Sequence, residues 1–484
     1  SDFSEIKEEG NVRILKLNAV KKSNLFVDSV WFESPISKGR TQLELRFRVQ
    51  NSSDKDLDDV QVSMESGNTS REMNISIPAN SFTIETFNFV DNGGVGNRTG
   101  KIKVDDTQIF YDDELYFSYN VIDNVKVLIL NSDGNETNYL EKLYGLDPYY
   151  SVKTINIQNV SQEELFKNDL VILNNTEFLS SGISKNLVEF YNAGGSIVMI
   201  PGKNPQLNTL NSFIENFDLP TYNKVDFSNL KVTKLNAEDL VFRGVFKKIP
   251  KNLNLPSVAK SYSFNNRNSS GYVSLMDYAS GDPFFLRKIG GTGKFYMSSV
   301  TLDENYSNFP RHAMFIGVFL RIGELSVRNN QLFSIIGEQS QYRFSVNSNS
   351  KDPVHIVNQD KNVDVIPLSQ NRWNEELVYL GKGESSNNID QGFYNVMKNL
   401  EKLGVVALNY NRNESVLEFY SQDEIESLLK EQGIGITDFI DVKESSENFK
   451  IDLDKSKEYW RILLILGLIF ILIEILLIKF LKTN

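Results

Sequence analysis

Cysteine is absent from all 484 residues, which excludes disulfides, thiolate metal sites and a cysteine nucleophile. Histidine is nearly absent as well. With His312 and His355 alone, histidine-rich metal centres and most histidine-based triads are out of reach. Positive charge is not in excess: 63 acidic residues against 51 basic ones leave a net charge of −12, with no footprint of nucleic-acid binding. The start, Ser1-Asp2-Phe3, runs on polar, without the basic and apolar regions of a secretory signal. Phosphate and nucleophile loops are missing too. There is no G-x-G-x-x-G, no G-x-x-x-x-G-K-[ST] and no G-x-S-x-G elbow. The D-x-S-x-S metal pattern is also lacking.

The strongest positive signal lies at the far end. Ile462 to Ile478 reads ILLILGLIFILIEILLI, broken only by Glu474. A bilayer core is about 30 Å thick, so about 20 apolar helical residues cross it, and Tyr459 to Leu481 is that long. A buried core helix of this length would carry a polar face, which this segment lacks. Trp460 and Arg461 at one end, and Lys479 and Lys482 at the other, suit the two interfaces. Basic residues flank both ends, so charge does not settle the orientation. The short tail after a long body favours a periplasmic body. Glu474 is costly in lipid. It either faces a partner or snorkels from near the helix end, and both readings stay open.

Hydrophobic content of 40% and charged content of 24% are ordinary for folded protein, and the length suits about three domains. Residues 10–122 read as strands. Leu43 to Val49 (LELRFRV) alternates with period two, as do Asn74 to Ile77 and Thr83 to Val90, and turn clusters separate them. This spacing predicts an immunoglobulin-like β-sandwich. Asp112-Asp113-Glu114 could hold calcium, but a solvated turn is the expectation.

From 123 to 330 short apolar strands alternate with helices. The strands are Val125 to Leu130, Tyr150 to Ile157, Leu170 to Leu173, Ser196 to Ile200 and, later, Gly293 to Val300. The helices lie at Asn138 to Tyr144, Gln162 to Phe166, Ile183 to Tyr191, Asn208 to Phe217 and Pro310 to Leu320. Such alternation predicts a doubly wound parallel sheet covered on both faces. Ligands of such sheets sit beyond the carboxyl ends of the strands, which singles out Asn131 to Asn135, Asn174 to Thr176 and Pro201-Gly202-Lys203. Gly194-Gly195 reads as a helix stop. Gly290 to Lys294 (GGTGK) leads into a strand and reads as a hairpin turn rather than a phosphate loop. Residues 331–455 return to β, with a helical element expected within 393–409 and an amphipathic helix at Gln422 to Gln432. No catalytic, cofactor-binding or metal-binding residue is assigned. The residues singled out are the anchor's Trp460, Arg461, Glu474 and Lys479.

Five stretches carry a resemblance. They are NLFVDSVWFESPI at Asn24–Ile36, IFYDDELYFSYNV at Ile109–Val121, LNNTEFLSSGISKNLVEFYNAGGSIVMIPG at Leu173–Gly202, VVALNYNRNES at Val405–Ser415, and the Trp460–Phe480 anchor with its Glu474. In this order they resemble BatA-type (aerotolerance-regulator) membrane proteins of Bacteroidetes. The resemblance implies that two membrane helices and a von Willebrand A domain precede Ser1-Asp2-Phe3, so that residues 1–9 are the tail of a missing domain. It also implies that 123–330 is similar to the class I glutamine amidotransferase fold, in its flavodoxin-like arrangement. Without cysteine, the chemistry of that fold cannot be carried over.

The expected organisation is therefore a β-sandwich (10–122), an amidotransferase-like α/β domain (123–330), a β-rich membrane-proximal module (331–455) and a transmembrane helix (459–481). The expected role is that of a non-catalytic envelope scaffold in the inner membrane, without cofactor or nucleic acid and with no small-molecule ligand assigned. Its implied partners are other Bat-type proteins and a MoxR-type ATPase, in stress tolerance or complex assembly. Two alternatives stand beside it: an auxiliary subunit of an envelope ABC transporter, and a hydrolase with a non-cysteine nucleophile. The hydrolase requires polar groups converging beyond Leu173 and Ile200.

Overall fold

A computed structural model describes residues 12–17, 23–32, 42–106, 109–132, 139–226, 229–243, 245, 253–265, 270–328, 330–346, 351–372, 375–381, 389–415, 421–431, 436–442 and 459–481. The expected domain tail at 1–9 and positions 133–135 of the first strand-end loop lie outside these residues. The chain divides into two compact units, 22–417 on the one hand and 1–21 with 418–484 on the other.

The larger unit starts with a two-sheet sandwich. Reserving β1 for Val12–Leu17, its strands are β2 (Leu25–Phe32), β3 (Gln42–Asn51), β4 (Leu57–Ser66), β5 (Thr69–Ile77), β6 (Ser81–Val90), β7 (Gly96–Val104) and β8 (Glu114–Val121). One sheet has the order β2-β3-β6 and the other β5-β4-β7-β8, all antiparallel. The period-two pattern of β3 does what alternation requires. Leu43, Leu45, Phe47 and Val49 are buried, while Glu44 points to solvent. Phe47 stacks on Phe87 at 4.8 Å, and Val62, Ile102 and Phe117 close the shared core from the facing sheet. β1 does not join this sandwich, although the sequence reading starts the sandwich at residue 10.

The middle of the unit is a nine-stranded sheet. Its strands are β9 (Val125–Asn131), β10 (Tyr150–Asn156), β11 (Leu170–Thr176), β12 (Ser196–Pro201), β14 (Leu230–Leu235), β15 (Ser257–Val258), β17 (Tyr272–Tyr278), β18 (Pro283–Lys288) and β19 (Lys294–Ser298). Their spatial order is β10-β9-β11-β12-β19-β18-β17-β14-β15. A separate pair joins β13 (Tyr222–Asp226) to β16 (Ser261–Phe264).

The helices are α1 (Tyr139–Gly145), α2 (Gln162–Phe166), α3 (Ser181–Asn192), α4 (Leu207–Ile214) and α5 (Ala313–Leu325). Tyr144 of α1 and Phe319 of α5 share one core with the sheet. Leu165, Phe190 and Phe213 of α2, α3 and α4 share another. With apolar cover on two sides, β11 and β12 are buried along their whole length. The expected parallel sheet is corrected here. The pairings from β10 to β19 are parallel, but those joining β19, β18, β17, β14 and β15 are antiparallel. The sheet is therefore mixed, and the doubly wound amidotransferase-like description does not cover it. The stretch 218–289, to which the sequence reading assigns no element, supplies this antiparallel part; β14 (LKVTKL) and β17 (YVSLMDY) lack the apolar runs that mark buried parallel strands, whereas β18 carries one at Pro283 to Leu286.

The last module of the larger unit holds β20 (Ser334–Ile335), β21 (Ser340–Ser345), β22 (Val354–Asn358), β23 (Val363–Val365), β24 (Leu368–Arg372), β25 (Glu375–Leu380), β26 (Gly392–Lys398) and β27 (Glu401–Asn409). These form two sheets, β20-β27-β26-β22-β23 and β21-β25-β24, around Tyr342, Tyr394, Val396 and Val406. A buried Lys398–Glu376 ion pair of 2.8 Å ties one sheet to the other. The helical element expected within 393–409 is instead the β26–β27 hairpin.

In the smaller unit β1 pairs in parallel with β28 (Ile436–Val442), and α6 (Gln422–Glu431) and α7 (Tyr459–Leu481) are helical.

Candidate functional site

The carboxyl ends of the parallel strands place the predicted loops side by side. The Asn174 amide donates to Asn131 Oδ1 at 2.9 Å. Asn175 takes the left-handed conformation (φ 48°) and accepts from the Thr301 hydroxyl. Ser132 Oγ accepts from the Glu177 amide at 3.1 Å, and Tyr262 OH donates to the Gly202 carbonyl at 2.8 Å. Lys203 pairs with Asp303 at 2.6 Å. Polar groups thus converge at this edge, as the hydrolase reading requires; most bond to one another, while Asn174 Oδ1 and Thr176 Oγ1 are buried without a hydrogen-bond partner. The hydroxyls next to them are engaged as well: Ser298 Oγ bonds the Val300 carbonyl, and Ser299 Oγ bonds Tyr278 OH.

Both histidines have partners of their own. His312 caps α5 by accepting the Met314 amide on Nδ1 at 3.1 Å. Burial lowers its pKa, so the ring is neutral, as a cap acceptor must be. His355 pairs with Asp364 at 2.8 Å across β22 and β23. Gly290 to Lys294 is the β18–β19 hairpin turn that the sequence predicts, with Gly290 and Gly291 at φ 68° and 93°.

Two cavities open elsewhere. One, of about 750 Å³, lies where the sandwich, the mixed sheet and the module meet. It is braced by Arg328, which pairs with Glu375 at 2.9 Å and donates to the Asn168 carbonyl at 2.7 Å. The other, of about 660 Å³, opens within the module and is lined by Ile335, Ile356, Ile366, Leu380 and Leu408.

The sequence reading missed the seam between sandwich and module. β8 is an edge strand, and its exposed backbone needs partners. Asn409, fully buried, supplies them with one side chain: its Oδ1 accepts from the Tyr116 amide and its Nδ2 donates to the Tyr116 carbonyl, both at 2.8 Å. The Ser118 amide reaches the Leu332 carbonyl, and its hydroxyl reaches the Val405 carbonyl. Arg412 donates to the carbonyls of Val27 (3.1 Å) and Glu114 (2.6 Å). Asn24 donates to Asp112 at 2.7 Å and to the Ser415 carbonyl at 2.9 Å.

These contacts correct the solvated-turn expectation. Asp112 and Asp113 are 0% and 4% exposed. Burial raises the Asp113 pKa to about 7, with the charges of Asp106 and Asp112 adding to it. Three of the stretches that carry the resemblance, around Asn24, Asp112 and Val405, meet at this seam.

The predicted anchor is helical. Ile462–Phe480 is long and apolar enough to cross a membrane, and none of it is buried, which separates it from a core helix. Glu474 is exposed among Ile473 and Ile475, and Lys479 lies in the last turn. Trp460 and Arg461 lie in the first turn of α7, where the described structure is main chain only.

No family model and no curated protein matches the chain. Solved structures match parts of it. A putative ThuA-like protein from Bacteroides uniformis is 13% identical over 41% of this chain and 89% of that one, with a TM-score of 0.31. A cold-adapted β-galactosidase from Rahnella is 13% identical over 54% and 41%, at 0.30. A CARDB domain from Pyrococcus furiosus is 14% identical over 21% and 98%, at 0.19. None of these three is described as BatA-type or amidotransferase-like, and at these scores the likenesses support neither a family nor an activity.

Proposed function

We propose that this chain is a non-catalytic scaffold anchored in the inner membrane by α7, with its body on the periplasmic side. The observation that carries the reading is a wholly exposed apolar helix of membrane-spanning length on a chain whose other modules are tied together by buried bonds. Two features favour a binding body over an enzyme. Most polar groups at the sheet edge are engaged with one another, Asn174 Oδ1 and the Thr176 hydroxyl excepted, and both histidines have structural partners. The BatA-type resemblance supplies the partners: other Bat-type proteins and a MoxR-type ATPase, in stress tolerance or complex assembly. The amidotransferase-like assignment of 123–330 rests on that resemblance alone, and the scaffold reading does not need it.

A detergent pull-down of the tagged protein from its own membranes, identified by mass spectrometry, tests the proposal. Recovery of Bat-type proteins or a MoxR-type ATPase supports it. Recovery of transporter subunits replaces it with the ABC-auxiliary reading. Recovery of the protein alone, with turnover of a hydrolysable substrate, reopens the sheet edge as an active site.

A further inference from the structure

The seam holds an unusual concentration of buried oxygen atoms without donors. Asn24 and Ser415 are fully buried, and so is Asp112. Asn24 Oδ1, Asp112 Oδ1, Asp113 Oδ1 and Ser415 Oγ make no hydrogen bond, and each is shut off from solvent. Buried acceptors left unpaired are costly, and a native fold rarely gathers several together. Asn24, Asp112 and Ser415 are held close, and Asp113 follows Asp112 in the chain. The Asn24 amide nitrogen bridges Asp112 Oδ2 and the Ser415 carbonyl, which fixes the amide oxygen beside the same carboxylate. Asp106, next along, accepts from the Leu25 amide at 2.9 Å.

The charges are out of balance as well. Asp112 and Asp113 face one buried guanidinium, that of Arg412, whose Nη1 makes no hydrogen bond to either. Lys103, which also acts on Asp113, is paired with Asp105 at 3.5 Å. Among the described residues no group of three or more His, Asp or Glu side chains is placed to hold a metal ion. The donor set is instead mixed: two carboxylates with an amide and a hydroxyl oxygen. Oxygen-only sets of this kind suit a hard cation, and a flexible coordination number favours Ca²⁺ over Mg²⁺.

The geometry points to a Ca²⁺ site at the sandwich–module seam, liganded by Asn24, Asp112, Asp113 and Ser415. The ion would satisfy the orphaned oxygens and offset the excess carboxylate charge. It would also link the start of β2, the turn before β8 and the end of the module, and it is independent of the scaffold reading. With few charged ligands, affinity is expected in the range of extracellular modules, a dissociation constant of about 0.1–1 mM.

The test is calorimetric titration of CaCl₂ into the full chain in detergent after chelator treatment, with thermal melts alongside. The expected result is saturable binding and a melting temperature that climbs with the logarithm of Ca²⁺ concentration. Asp113→Asn is expected to weaken binding at least about tenfold. Ser415→Ala removes an oxygen that holds no hydrogen bond, so it spares the fold, and it is expected to weaken binding in the same direction. No heat and no melting shift at several times the expected dissociation constant overturns the proposal, as does unchanged Ca²⁺ binding in both variants. A response to Mg²⁺ without one to Ca²⁺ overturns the choice of ion.

Discussion

His312 shows how a residue type that suggests catalysis can be committed to architecture. Its Nδ1 accepts the Met314 amide only while the ring nitrogen is unprotonated. The folded pKa lies below the unfolded value of 6.5, so between the two the unfolded chain binds more protons and stability rises with pH. The contribution is complete above about pH 6.5 and is lost as the pH falls below it. His312→Asn keeps a good cap and is expected to remove this part of the pH dependence, seen by comparing melts at about pH 5.5 and about pH 7.5. Asn409 makes the opposite kind of commitment, a polar side chain standing in for a strand. Asn409→Ala strands the Tyr116 amide and carbonyl at a buried seam. The expected cost is about 2–4 kcal/mol, read as a lower midpoint for the first transition in urea.

Among the elements, the β18–β19 hairpin is fixed by a close approach. A Cβ on Gly293 would stand 2.4 Å from the Gly195 carbonyl and 2.5 Å from that of Tyr191, both backbone atoms that cannot swing away. Gly293→Ala is therefore expected to destabilise the mixed sheet by about 1–3 kcal/mol, measured by hydrogen exchange in β12 and β19. This hairpin was legible because glycines before a strand end a turn rather than open a helix. α3 was legible for a similar reason. Its apolar period runs between the Ser180 cap and Gly194, whose amide bonds back to the Tyr191 carbonyl. The antiparallel half of the same sheet was not legible. β14 and β17 take their partners from tertiary pairing, and their burial patterns are irregular.

For the molecule as a whole, the consequences follow from α7. Glu474 lies six residues before Phe480, about 9 Å along the helix, so it can either meet a partner or reach the interface. Glu474→Leu is expected to leave the chain in the carbonate-resistant membrane fraction. If Glu474 faces a partner, the variant also loses co-purifying membrane proteins; if it snorkels, their recovery is unchanged. Orientation is open to a direct test because the chain has no native cysteine. Leu400 is 98% exposed at the tip of the β26–β27 hairpin. Leu400→Cys is expected to react with a membrane-impermeant maleimide in intact spheroplasts; labelling only after lysis would place the body in the cytoplasm.

Local patterns carried as far as local physics does. An apolar run interrupted by a single Glu declares a membrane-length helix, alternation declares half-buried strands such as β3, and short aliphatic runs declare β11 and β12. In each case the signal lies within about 20 neighbouring residues. Three other features arise only when distant segments meet. The Asn24 amide bonds residue 415, 391 positions on, and Asn409 completes Tyr116 across 293. β1 finds its ladder on β28 at the other end of the chain. An aspartate pair in a turn looks the same in sequence whether water or a folded module covers it. Burial, and with it the unsatisfied oxygens of the seam, was decided by the tertiary structure, because desolvation depends on which surfaces meet.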